Sequence, residues 1–193
     1  MDDEEARTRL LDAAEALFYA EGVQAVGMDR IRTASGVPLK RLYRVFPAKD
    51  ALVEAYLDRR DRRWMASLRA AVTAAGPERG AAVAAVFDWL AGWFAEPGFR
   101  GCAFLNAHGE LGAGPAGVRE VVRRHKEQLR ELLGEVAASL PDESSASAAE
   151  LADRLMILVE GATAVAALDP GPAAALRARE MAELLLAGSG SRG

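Results

Sequence analysis

The sequence predicts an all-α protein, and three observations carry that expectation. Apolar residues recur at three- and four-residue spacings through nearly every segment, which is the period of an amphipathic helix. Ala, Leu, Glu and Arg dominate, and no alternating strand pattern persists. Gly and Pro sit mostly at the boundaries between periodic segments, where they punctuate helices. Together these divide the chain into about nine helices.

The first helix is expected over residues 4–21, with Leu10, Leu11, Ala14, Leu17 and Phe18 on one side and Gly22 ending it. Asp2, Asp3, Glu4 and Glu5 suit a helix N-terminus because the helix dipole favours negative charge there. Between Met28 and Leu52 the pattern predicts two short helices joined by a tight turn, then the start of a fourth helix. Gly36 can take the left-handed conformation that ends a helix, and Pro38 falls where the next one opens. Leu39, Leu42 and Phe46 are expected to pack inward, which leaves Lys40, Arg41, Tyr43 and Arg44 outward. Phe46-Pro47 closes this helix.

Helix four is expected from Lys49 to about Ala75, stopped by Gly76-Pro77. Its cluster Arg59, Arg60, Arg62 and Arg63 suggests a second DNA contact, but a solvated face paired with Asp58 and Asp61 is the better reading. A helix over 77–95 presents Val83, Val86, Phe87, Leu90, Trp93 and Phe94 on one broad face. A short segment of mixed polarity, 100–111, follows the turn Glu96-Pro97-Gly98. After a loop at 112–117 comes a long helix over 118–140. A polar loop at Pro141–Ser145 offers Ser144 and Ser145 as N-caps. The last two helices span 146–168 and 172–187, separated by Asp169-Pro170-Gly171-Pro172, and Gly188–Gly193 reads as a flexible tail.

Composition narrows the function. The 193 residues are ample for a core, and although 51% are hydrophobic, no apolar run approaches the roughly 20 residues that span a bilayer. The acidic opening MDDEEAR has no apolar signal region. One cysteine rules out an intramolecular disulfide framework and fits a reducing cytoplasm. The net charge of −4 is unevenly spread. Between Met28 and Lys49 stand Arg30, Arg32, Lys40, Arg41, Arg44 and Lys49 against Asp29 alone, whereas acidic residues outnumber basic ones from Trp64 onward. A basic patch at one end of an acidic protein is an electrostatic footprint for binding DNA in one orientation. A helix-turn-helix whose second helix is basic has the geometry that reads a major groove.

The run from Leu10 to Leu57 resembles the DNA-binding domain of TetR-family transcriptional regulators. Ala14, Leu17, Phe18, Gly22, Ile31 and Ala34 match it, as does the spacing G-V-P-x-x-x-L-Y-x-x-F-P-x-K-x-x-L from Gly36 to Leu52, with Leu57 beyond. The resemblance implies a homodimeric, ligand-responsive regulator, usually a repressor, with an all-helical C-terminal domain. On this basis residues 1–48 form the DNA-binding domain, 49–187 the regulatory and dimerisation domain, and 188–193 the tail. Two departures stand out. Val26-Gly27 occupy the place where the family usually carries Thr or Ser to cap the second helix, and Arg32 replaces a usually small residue.

The candidate sites follow. Tyr43 and Lys49 match the family's phosphate contacts, which set register without reading sequence. Lys40, Arg41 and Arg44 occupy outward positions from which Arg can contact guanine O6 and N7, and Pro38 or Leu39 can touch a thymine methyl. The acidic tip Asp2–Glu5 would repel DNA, so it is expected to be mobile or to point away. An effector cavity, mainly apolar with a few polar groups, draws its candidates from Trp64, Phe87, Trp93, Phe94, Phe104, Asn106, His108 and His125. The dimer is expected to form from the last two helices through Leu151, Leu155, Leu158, Gly161, Ala162, Val165, Leu176 and Leu184, with the small residues allowing close approach.

No enzyme is expected. The chain has two histidines, one cysteine, and no HExxH, CxxC, Walker loop or strand-borne glycine fingerprint. Cys102 and His108, six apart, fall on different helical faces, so no catalytic, metal or cofactor site is assigned. Two alternatives remain: a DNA-binding protein that ignores ligands, its core filled, and a helical carrier of an apolar metabolite. The basic, tyrosine-bearing second helix argues against the carrier.

Overall fold

The computed structural model describes residues 1–78, 80–140 and 147–188. Among these residues the secondary structure is helical throughout: α1 (Asp3–Glu21), α2 (Met28–Ser35), α3 (Leu39–Val45), α4 (Lys49–Ala74), α5 (Ala81–Phe94), α6 (Ala103–Leu111), α7 (Ala116–Ala138), α8 (Ala148–Leu168) and α9 (Ala173–Gly188). The chain packs as two compact units. The first holds residues Met1–Arg62 and Ala103–His125, the second Arg63–Cys102 and Lys126–Gly193.

In the first unit, α1 begins with Asp2, whose Oδ1 accepts the Glu5 amide at 2.8 Å. Such a cap satisfies one of the amides that a helix start leaves unpaired. Leu10, Leu11, Ala14 and Phe18 are buried together with Ile31 of α2, Leu42 of α3, and Leu52, Tyr56 and Leu57 of α4. The Phe18 and Tyr56 rings lie 5.7 Å apart.

Two polar groups are buried in this unit. Asp61 and His125 share a 2.7 Å hydrogen bond, and Phe104 stacks on the imidazole at 3.6 Å between centroids. Burying a polar pair is tolerable when each satisfies the other. The arginine cluster on α4 is therefore paired differently from expectation. Asp61 is taken by His125, and Arg59 reaches Asp12 at 2.7 Å and Glu15 at 2.8 Å on α1. Arg60 bonds Glu15 and lies 3.9 Å over the Tyr19 ring. Arg62 keeps the expected partner Asp58.

The second unit is built on a core that includes Phe87, Leu90 and Phe94 of α5, Leu129 and Leu133 of α7, Leu155 and Val159 of α8, and Ala175 and Ala182 of α9. Trp64, Trp89 and Trp93 form an aromatic group, Trp64 meeting Trp89 edge-on at 4.9 Å and Trp93 at 5.5 Å. The Trp89 indole donates to Ser67 Oγ at 3.0 Å, giving that ring's polar edge a partner. Arg130 and Asp153 join at 2.7 Å, and the guanidinium hydrogen bond holds the Asp153 carboxyl below its ordinary range.

Several element boundaries differ from expectation. Helix α5 starts at Ala81 rather than Pro77, because Gly80 takes a left-handed conformation with φ of 77°. Helix α7 begins at Ala116 and α6 at Ala103. Helix α8 opens on a capping box in which Ser147 Oγ accepts the Glu150 amide while Glu150 accepts the Ser147 amide at 2.8 Å. The expected caps Ser144 and Ser145, with the loop 141–145, lie outside the described residues. So does the expected tail, apart from Gly188, the last residue of α9.

Among the described residues no helix is long and apolar enough to cross a membrane, and no His, Cys, Asp or Glu group is arranged to hold a metal ion. Phe87 is fully buried, so Phe87→Ala is expected to cost about 3–5 kcal/mol in chemical denaturation, because the void cannot close around the lost ring.

Candidate nucleic-acid interface

The helix-turn-helix is set by a few local choices. Gly27 begins α2 with no side-chain cap, so the cap that Thr or Ser would supply at this place is absent. At the other end Gly36 takes φ of 67°, and its amide returns to Arg32 O at 3.1 Å. Ser35 Oγ donates to the same carbonyl and accepts the Val37 amide, which tightens the turn. Val37 is buried, and Pro38 stands at the N-cap of α3, where the backbone is extended and no amide is needed.

Leu42 and Phe46 then point into the core, with 0% and 2% exposure. The third residue expected inward, Leu39, is instead 48% exposed. It sits in the first turn of α3, ahead of the face that Leu42 and Phe46 bury. Lys40, Tyr43 and Arg44 are likewise exposed, as is Pro38, and Arg41 is half-buried. The outward face of α3 is therefore a mixed row of cations, one phenol and one apolar side chain. A face of this chemistry can meet phosphates and base edges together.

Charge is less concentrated than the sequence alone implies. Arg30 pairs with Glu21 at 2.7 Å, and Arg32 with Asp29 at 3.3 Å. Arg44 bonds the carboxylate of Asp3, and Arg41 lies 3.8 Å from the same group. The acidic tip, expected to be mobile or turned away, thus lies on α3. Lys40 has no ion-pair partner among the described residues.

Lys49, at the start of α4, reaches the Gln24 carbonyl at 3.4 Å. Gln24 belongs to the loop between α1 and α2, and its amide donates to Glu110 Oε2 of α6 at 2.8 Å. Gly22 in the same loop has φ of 93°, and a Cβ there would lie 3.0 Å from the Glu110 carboxylate. Nothing in the sequence pattern pairs Glu110 with a loop 86 residues away, nor Asp3 with Arg44. Such long-range contacts leave no periodicity to read.

Residues 10–56 match the bacterial regulatory proteins of the tetR family, and residues 76–182 match the tetracyclin repressor-like C-terminal domain. The chain belongs to the TetR family. A TetR-family transcriptional regulator of Streptomyces coelicolor is 36% identical, with 97% of each chain covered and a TM-score of 0.83. A TetR regulator from Streptomyces avermitilis is 26% identical, covers 95% of this chain and 97% of its own, and has a TM-score of 0.80. An uncharacterised helix-turn-helix transcriptional regulator of Mycobacterium tuberculosis is 43% identical over 58 residues, which is 30% of this chain and 29% of that protein. These relatives are transcriptional regulators of the same all-α fold, not enzymes.

For this TetR-family chain the expected effector residues fall into separate groups. Phe104 and His125 form the stacked, buried pair of the first unit. Phe87 and Phe94 are fully buried in the second unit, where Trp64 and Trp93 are half-buried and share the aromatic group with Trp89, a ring the sequence pattern did not single out. Asn106 and His108 are exposed. Of the expected interface residues, Leu151, Leu155 and Ala162 are buried in the unit's own core rather than free to meet a partner. Leu158 is half-buried, and Gly161, Val165, Leu176 and Leu184 are exposed. Both faces of α8 are apolar, so spacing alone did not tell the inner from the outer.

The turn supplies a direct test. No atom lies within 4 Å of a Cβ placed on Gly36, so Gly36→Ala meets no clash and carries only the left-handed backbone penalty. A loss of about 1–2 kcal/mol in thermal or chemical denaturation is expected.

Proposed function

We propose that the protein is a sequence-specific transcriptional repressor that binds its operator as a homodimer and is released by a small, largely apolar effector. Family membership supports the general reading. The observation that carries the residue-level assignment is the exposed row on α3, with Leu42 and Phe46 buried behind it. In this reading residues 1–48 are the DNA-reading domain and 49–187 the regulatory and dimerising one, acting in the cytoplasm on duplex DNA. Tyr43 and Lys49 hold phosphates and fix register. Lys40, Arg41 and Arg44 read base edges, and Pro38 and Leu39 offer apolar contact to a thymine methyl.

Pairing through α8 and α9 rests on what these helices leave uncovered. Ile157, Val165 and Leu168 on α8 and Leu176, Met181 and Leu184 on α9 are large apolar side chains in solvent, and Leu168 is 91% exposed. Gly161 lies between Ile157 and Val165, where a small residue admits close approach. An isologous contact made by two copies of this helix pair covers both stripes at once. A dimer so formed presents two recognition helices to successive major grooves about 34 Å apart.

An effector acts here by population shift. A ligand that binds better to the arrangement in which the two α3 helices no longer match that spacing lowers operator affinity, and differential affinity rather than tightness sets the effect. Half-buried Trp64 and Trp93 offer ring surface of the apolar kind such a ligand needs.

Selection of bound duplexes from a random pool at fixed salt, repeated with variants, tests the assignment. Lys49→Ala is expected to weaken all sequences about equally, whereas Arg41→Ala relaxes one base position by about 1–3 kcal/mol. Unchanged binding by both variants overturns it. For the dimer, Leu168→Asp is expected to shift sedimentation toward the monomer, with the helix content retained.

A further inference from the structure

We propose, on the DNA-binding reading above, that the acidic N-terminal tip is a built-in competitor: Asp3 occupies the recognition-helix arginines and must be displaced before they can meet DNA. Asp3 Oδ1 accepts a hydrogen bond from Arg44 Nη2 and lies 3.8 Å from Arg41 Nη1. Arg41 also donates to the Met1 carbonyl. One carboxylate and one main-chain oxygen thus engage two of the three cations on the outward face of α3. Each guanidinium has five donors and keeps others free, but the donors taken are of the kind a phosphate or a guanine edge uses, and the Asp3 carboxylate beside them repels the anion that would come to the rest.

Asp3 is held there rather than dangling. It is the first residue of α1, the Asp2 cap fixes the opening turn at 2.8 Å, and the Met1 ammonium lies 3.8 Å from Glu5. Ala6 and Leu10 are fully buried, which anchors that turn to the core. The pairing itself is exposed, with 55–56% of the Arg44 and Asp3 side chains in solvent. Exposed ion pairs are individually weak and screened by salt. The contact therefore acts as a tunable brake and not as a lock. It lowers affinity for every duplex at low salt and yields to an operator whose phosphate and base contacts outweigh it. It also subtracts one positive charge from the face that releases counterions, so it flattens the salt dependence of binding.

The experiment measures affinity for a labelled random-sequence duplex, and for the selected operator, across a salt series with the full-length protein. Asp3→Asn keeps shape and removes the charge. It is expected to tighten binding to both duplexes up to about five-fold at low salt, the size an exposed pair can supply. The slope of log affinity against log salt should steepen by up to about one unit, and the gain should vanish as salt rises. Glu4→Gln removes the same charge one residue away and is expected to give a markedly smaller gain. In an Arg41→Ala/Arg44→Ala background, Asp3→Asn should give none.

An Asp3→Asn protein that binds no tighter than wild type overturns the proposal. So does an equal gain from Glu4→Gln, or a gain that survives loss of both arginines, because either makes the effect one of general charge. If no variant, wild type included, binds any duplex, the DNA-binding reading fails and this inference with it. Binding that ignores Asp3 sinks the competitor alone.

Discussion

Burial of Leu42 and Phe46 decides which way α3 faces, and the make-up of its exposed side depends on that. The helix has seven residues, too few to persist unaided in water. Its orientation comes from two side chains with almost no exposure, packed in a core shared with Leu10 and Phe18 of α1 and Ile31 of α2. Arg7 adds a second grip, its guanidinium 4.9 Å over the Phe46 ring. Once those two positions are fixed, the helical period leaves Lys40, Tyr43 and Arg44 pointing out. The exposed row on α3 is in this sense a by-product of core packing, and any change that loosens α1 loosens it as well.

Electrostatics then trims what packing presents. Six cations gather between Met28 and Lys49, yet Arg30, Arg32, Arg41 and Arg44 all stand beside carboxylates. Long-range attraction to a polyanion depends on net local charge, whereas specific contacts depend on which donors are available at the surface. Acidic partners on α1 and α2 moderate the first, and one of them, Asp3, also engages Arg41 and Arg44 among the donors that α3 presents for the second.

Much of this architecture was legible in the sequence because periodicity and helix breakers are local signals. Gly22, Gly36, Gly76-Pro77 and Asp169-Pro170-Gly171-Pro172 mark boundaries that the structure keeps within a few residues. The spacing from Gly36 to Leu52 identified the helix-turn-helix and its family. Less legible was anything settled by a partner far along the chain. Asp61 reads as one more acid among arginines until His125 is folded against it. Leu151 and Leu155 carry the same apolar period as the solvent-facing Ile157 and Leu168, and only packing against the second unit's core separates them. The candidate effector residues are aromatic or polar side chains spread over several segments, and segment membership carries no information on which of them share a neighbourhood.

The clasp between Glu110 and the loop at Gly22–Gln24 has a consequence for how this stretch tolerates change. The carboxylate holds a main-chain amide, that of Gln24, and packs against a glycine whose backbone lies outside the reach of other residues. Recognition of backbone is indifferent to most side chains, that of Gln24 excepted, because its Nε2 donates to the Glu110 carbonyl. Drift in the loop's sequence is therefore cheap at Val23 only within the limits of its buried pocket, and at Ala25 almost without limit. Lengthening the loop by one residue is another matter, since it would slide the amide out of register with its acceptor. Homologues that vary freely in spelling here but never in length would carry the signature of that clasp.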